Sequence, residues 1–151
     1  MKISLEIAEG IYRIGALEPG QVTLERGGQD GTVEERVIQR SSFMLSPDQL
    51  LPNWAPTHID QVGVAELEPA LELAPTLVLL GTGSQAVLPD MALMQLFMSR
   101  GIGFETMQTA AACRTFNLLA YEGRRMLKMI QHGSPLIYYL KQSMIPSLRV
   151  F

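Results

Sequence analysis

Thr76-Leu77-Val78-Leu79-Leu80-Gly81-Thr82-Gly83 decides the fold. Leu77 to Leu80 is apolar without alternation, the pattern of a strand buried on both faces, and Gly81-Thr82-Gly83 stops it in a tight turn. Downstream, Pro89-Asp90 opens a helix that carries Met91, Leu93, Met94, Leu96, Phe97 and Met98, and Gly101 after Arg100 closes it. Phe104 to Met107 reads as a short strand. Thr109 is placed to cap a further helix through Glu122, with Ala112, Phe116, Leu119 and Ala120 on its buried face. Gly123 fits the left-handed position after that helix, and Arg124 to Ile130 alternates as a last strand. Strand–helix–strand–helix–strand predicts helices packed on a central mixed sheet.

Upstream of the deciding stretch the chain is rich in β signals. Ile11 to Ile14 and Val22 to Glu25 alternate on either side of Glu18-Pro19-Gly20, which predicts a hairpin and an additional N-terminal β layer. Gly27 to Gly31 makes a second turn, and Val33 to Phe43 supplies another strand. Ser46 to Pro56 is an extended connection whose Trp54 covers one end of the core. Ala65 to Ala74 places Leu67, Leu71 and Ala74 on one side of a short helix, with Pro69 near its first turn. The tail from His132 to Phe151 is strongly apolar and must pack on its own domain, a second copy or a partner. The expected organisation is one α/β domain over 1–130 and an apolar extension over 131–151.

Composition bounds the function. The 151 residues are 47% apolar and 18% charged, a globular profile, and the net charge of −3 offers no electrostatic case for nucleic acid or an anionic membrane. The one cysteine excludes an internal disulfide and suits a reducing compartment. Met1 to Glu6 lacks the basic and apolar pattern of a secretory signal, and no apolar run approaches the ~20 residues of a membrane span. A cytoplasmic location is expected.

Gly81-Thr82-Gly83-Ser84-Gln85-Ala86 fits G-x-G-x-x-A, and Glu105 falls where a dinucleotide fold places its ribose acid. Pro89 delays the helix, however, so a glycine turn leaving a buried strand is the simpler reading. Cys113 beside Arg114 combines a helix start with a cation, which favours a thiolate, yet a cysteine among alanines is also what a tight helix–sheet contact selects. Arg114 and Asn117 share a helix face. They either hydrogen-bond to the backbone around Gly81 to Ser84 or hold an anion or a partner carboxylate. His58 and His132 have no metal-ligand spacing, so neither a metal nor a cofactor is expected. Asp30, Asp48, Asp60 and Asp90 sit in turn or cap contexts. Met91, Met94, Met98, Met126 and Met129 read as core positions.

Leu79-Leu80-Gly81-Thr82-Gly83, then Thr109 to Leu119, then Glu122-Gly123-Arg124, with Pro47 and Trp54 upstream, resemble one known family. It is the uncharacterised bacterial and archaeal family, of Mth938-like fold, that includes mitochondrial complex I assembly factor 3. The resemblance implies a three-layer arrangement of helices on a central mixed sheet and no established enzymatic activity. For eukaryotic members it implies work on the peripheral arm of respiratory complex I with another assembly factor as partner. It marks Thr115, Glu122, Gly123 and Arg124 as signature positions of structural character.

Gly81, Thr82, Gly83 and Ser84 leave one strand, and Thr109, Cys113, Arg114 and Asn117 follow a neighbouring one. In a parallel pair both groups lie at the carboxyl edge of the sheet, and together they form the expected ligand or partner pocket. The leading expectation is a non-enzymatic binding or assembly protein that docks a protein partner through this corner or the apolar tail. The rival is a small-molecule or anion-binding protein, or a weak enzyme, that uses Gly81 to Ser84 as a cradle and Arg114 as counter-charge. A homodimer through the tail is a third expectation.

Overall fold

The computed structural model describes residues 7–127 and 136–140. Tyr12–Glu18 (β1), Gln21–Gly27 (β2) and Val33–Gln39 (β3) form an antiparallel three-stranded sheet in that order. Pro19 and Gly20 make the β1–β2 turn, with Gly20 at a φ of 76°, where glycine carries no Cβ penalty. The second sheet holds Phe43–Leu45 (β4), Leu50–Leu51 (β5), Leu77–Gly81 (β6), Gly103–Met107 (β7) and Leu136–Leu140 (β8), in the order β5-β4-β8-β6-β7. It is mixed. β6 runs parallel to β7 and to β8, whereas β4 runs antiparallel to β5 and to β8. The described chain also holds three α-helices, Val64–Leu71 (α1), Met91–Ser99 (α2) and Thr109–Leu127 (α3), and two short 3-10 turns at Gln29–Gly31 and Ile59–Gln61.

Successive residues of a strand face opposite sides of its sheet, and this explains the unbroken apolar run of β6. Leu79, with Phe43 and Leu45 of β4, joins Ile14, Val22 and Leu24 of the small sheet and Ala112, Cys113, Phe116 and Ala120 of α3 in one core. Val78 and Leu80, with Met44, join Leu67 and Ala70 of α1 and Leu93 and Phe97 of α2 in the other. The central sheet therefore separates α1 and α2 from α3 and the small sheet. Trp54 packs at the border of the second core and donates its indole N–H to the Glu66 carbonyl at 2.8 Å.

Helix ends follow local chemistry. Asp90 accepts from the Ala92 amide at 3.2 Å, an N-cap that opens α2. Gly101, at a φ of 67°, closes it: its amide reaches the Met98 carbonyl at 3.1 Å, and the Ile102 amide reaches the Phe97 carbonyl at 2.9 Å. Gly123 does not repeat this. α3 continues to Leu127, so the helix end expected at Glu122 and the strand expected from Arg124 are replaced by helix, and 128–130 lie outside the described residues. One internal glycine costs only about 1 kcal/mol relative to alanine, which the burial of Phe116 and Ala120 outweighs.

Four smaller expectations also change. The run Val33 to Phe43 divides into β3 and β4 around Arg40 to Ser42. Pro69 lies late in α1 and not in its first turn, and Ala74 is exposed at a φ of 50°. Met91, Met94 and Met98 are not core residues but 71%, 39% and 76% exposed, because Leu93 and Phe97 take the packed side of α2.

Candidate functional site

The glycine corner is built where β6 and β7 end side by side. The Thr82 amide donates to the Met107 carbonyl at 2.8 Å, which carries the parallel ladder one step past β6. The chain then turns at Gly83, whose φ of 93° excludes most side chains. Gly83 and Thr109 clasp each other: the Gly83 amide donates to the Thr109 hydroxyl at 2.9 Å, and the Thr109 amide donates to the Gly83 carbonyl at 2.9 Å. Thr109 is fully buried, and its hydroxyl serves this clasp rather than capping its own helix. The Thr82 hydroxyl donates to the Gln85 carbonyl at 2.6 Å and accepts from the Val87 amide at 3.1 Å.

This wiring has a chemical consequence. The Thr82 and Gly83 amides that a cradled phosphate would use are spent inside the protein. α2 begins only at Met91, so its N-terminus does not follow the glycine turn as a dinucleotide site requires. Ser84 to Leu88 form an exposed outer rim instead.

The other expected site residues part company along α3. Cys113 is buried in the first core, and burial, only partly opposed by the Arg114 charge, pushes its thiol up to about 12. It carries no thiolate near neutral pH, which removes the reactive-cysteine reading. Arg114 is exposed. Asn117 lies eight residues beyond Thr109, about 12 Å along the helix axis. Its partner is not the glycine loop: its Oδ1 accepts from the Ile14 amide at 2.8 Å and its Nδ2 donates to the Ile14 carbonyl at 2.9 Å. Asn117 thus pairs with the edge strand β1 as a neighbouring strand would. Thr115 back-bonds to the Ala111 carbonyl at 2.8 Å. Glu122, Gly123 and Arg124 lie within α3.

The buried thiol sets a pH dependence. With the folded value raised from 9.0 to about 12, the unfolded chain loses its thiol proton first as pH rises. Above about 9 the folded state then binds more protons than the unfolded one, and stability falls by up to about 1.4 kcal/mol per pH unit until about 12. Denaturation midpoints of the wild type and Cys113→Ala should converge across that window. A parallel course would refute the assignment.

A cavity of about 360 Å³ lies beyond Asn117, walled by Ile7, Ile11, Ile14, Ala120 and Tyr121 and edged by Arg13 and Glu25. Glu25 accepts from the Arg13 Nε at 2.6 Å and the Arg36 Nε at 3.1 Å. Burial opposes its charge, but these two hydrogen bonds and the guanidinium charges outweigh it and hold the carboxyl below its usual range. No sequence spacing signals this cavity, since its walls come from segments about a hundred positions apart.

Fold and corner together define a three-layer α/β protein with a central mixed sheet and a glycine turn locked to the first residue of α3. The profile of a family described as a protein of unknown function (DUF498/DUF598) matches residues 16–131, and the chain belongs to that family. Over 58 residues it is 40% identical to human NADH dehydrogenase (ubiquinone) 1 alpha subcomplex assembly factor 3, a match covering 38% of this chain and 29% of the relative. The aligned region is therefore under a third of that relative's length. A Xanthomonas campestris protein solved by NMR is 28% identical with a TM-score of 0.68, over 95% of this chain and 94% of its own. A Mth938-like domain from Bordetella pertussis, 21% identical with a TM-score of 0.67 over 95% and 93% of the two chains, shares the fold.

Proposed function

We propose that this chain is a non-enzymatic binding and assembly protein that docks a protein partner through the outer rim of the glycine corner and the adjoining face of α2. One observation carries the reading. Leu88, Met91 and Met98 are 83%, 71% and 76% exposed, and Val87 and Met94 are also exposed. Met91, Met94 and Met98 recur at helical spacing, so they stack along one face. Side chains of this size each contribute about 1.5–3 kcal/mol when a partner covers them, and methionine adapts its shape to the partner. The likeness to an assembly factor for NADH dehydrogenase supports a partner drawn from respiratory-complex or other assembly machinery. A cytoplasmic site of action goes with this reading. Among the described residues no helix is long and apolar enough to cross a membrane.

The test is capture from native extract with the wild type and with Leu88→Ser/Met91→Ser, both first shown to unfold at the same denaturant concentration. The wild type should recover named NADH dehydrogenase subunits or their assembly proteins, and the variant at least about tenfold less. Equal recovery by both would remove this face from the docking reading. Recovery of a second copy alone would replace the partner with a homodimer.

A further inference from the structure

We propose that the outer face of α2 is a two-electron oxidation site, at which a peroxide converts Met91, Met98 and then Met94 to sulfoxides and turns an apolar stripe polar while the fold stays intact. The inference goes beyond docking and does not require it.

Accessibility and packing carry the proposal. Met98 and Met91 are 76% and 71% exposed and Met94 is 39% exposed, whereas Met44 is 2% exposed in the core. Met107 is half-buried against the first core, with its sulfur 3.7 Å from the Thr115 hydroxyl. Oxidation of methionine follows exposure, so α2 presents its three thioethers to a dissolved oxidant ahead of these inner ones. The helix does not rely on them for its place. Leu93 and Phe97 supply its buried contacts, and Phe97 stacks on Phe104 with ring centroids 4.4 Å apart. A sulfoxide formed on the outer face therefore meets water and leaves the core untouched.

The step is balanced with the peroxide as its one co-reactant. The sulfur lone pair attacks the nearer peroxide oxygen, an S–O bond forms, and the O–O bond breaks. The proton on the transferred oxygen passes through water to the departing oxygen, which leaves as water or an alcohol, and the neutral sulfoxide remains. The thioether is oxidised by two electrons and the peroxide is reduced by two. The product is a polar, chiral side chain that methionine sulfoxide reductases restore. Three such changes on one helix face act on the same strip of surface.

The experiment is a timed exposure of the folded full chain to dilute hydrogen peroxide. Mass-spectrometric peptide mapping, retention on a hydrophobic-interaction column and a denaturant unfolding curve are recorded at each time. Among the methionines whose side chains are described, Met98 and Met91 should gain one oxygen atom first, Met94 next and Met44 last. Elution should shift earlier while the unfolding midpoint holds. The triple substitution Met91→Leu, Met94→Leu, Met98→Leu keeps the stripe apolar without sulfur, and its elution should shift less than that of the wild type. Met44 oxidising in step with Met98, a midpoint that falls as α2 is oxidised, or equal shifts in wild type and triple variant would each overturn the proposal. None of these readouts depends on a docking partner, so failure here and failure of the docking reading are distinguishable.

Discussion

A chain ending at Gln131 should lose cooperative folding altogether, while the full-length chain keeps it. The reason is the place of β8. It is the middle strand of the five-stranded sheet, paired with β4 through Phe43, Met44 and Leu45 and with β6 along Leu77 to Gly81. β4 and β6 do not pair with each other, so removing β8 leaves two two-stranded fragments and opens a seam between them. The seam unpairs backbone groups on both sides, each costing about 1–3 kcal/mol if it stays buried. It also exposes the flanks of Phe43, Leu45, Val78 and Leu80, all fully buried. A domain holds only about 5–15 kcal/mol of net stability, which such losses exceed. Trp54 fluorescence during urea denaturation is a suitable measure, because that indole packs against the second core. A sigmoidal transition for the shorter chain, at the midpoint of the longer one, would show that the fold closes without this strand.

Replacing Asn117 with alanine should cost about 2–4 kcal/mol, large for a half-buried polar residue. The side chain occupies both polar groups of Ile14 on the outer edge of β1, and alanine leaves an amide and a carbonyl facing the helix without a partner. Asn117→Asp makes the test specific. At neutral pH its carboxylate still accepts from the Ile14 amide but sets a negative oxygen against the Ile14 carbonyl. Protonation restores a donor for that carbonyl, so the folded state favours the neutral acid and raises its pKa. The unfolded state then binds fewer protons than the folded one over the acidic range, and the variant should gain stability relative to alanine as pH falls. Equal stability losses for both variants at every pH would reduce Asn117 to a packing residue. Protonation-dependent recovery would identify it as the clip between α3 and the small sheet.

The same residue shows where sequence reasoning reached its limit. That Asn117 needed a partner was legible from a polar amide on an apolar helix. Which partner it takes was not, because Ile14 is 103 positions away and no local pattern links an asparagine to a particular strand edge. Thr109 is similar. Its place before the helix implied capping, and only the close approach of β6 and β7 brings Gly83 within 2.9 Å of its hydroxyl and redirects the bond. The methionines of α2 misled for a different reason. Apolar character alone cannot say which of two sides of a helix is packed when both are apolar, and here Leu93 and Phe97 take the core.

What the sequence determined by itself are the features governed by nearest neighbours and by period. The continuous apolar run of β6, the Pro19-Gly20 turn, the Asp90 cap and the Gly101 closure follow from side-chain size, backbone freedom and hydrogen bonds within a few residues. So do the class of fold and the family motifs, which are local strings in order. The tertiary structure alone decided the continuation of α3 past Glu122, the place of the last described strand, the partner of Asn117 and the exposure of the α2 methionines. Each of these depends on competition between distant segments for the same surface or hydrogen bond. Free energies of about 1 kcal/mol, such as the cost of Gly123 within a helix, are settled by burial elsewhere in the molecule.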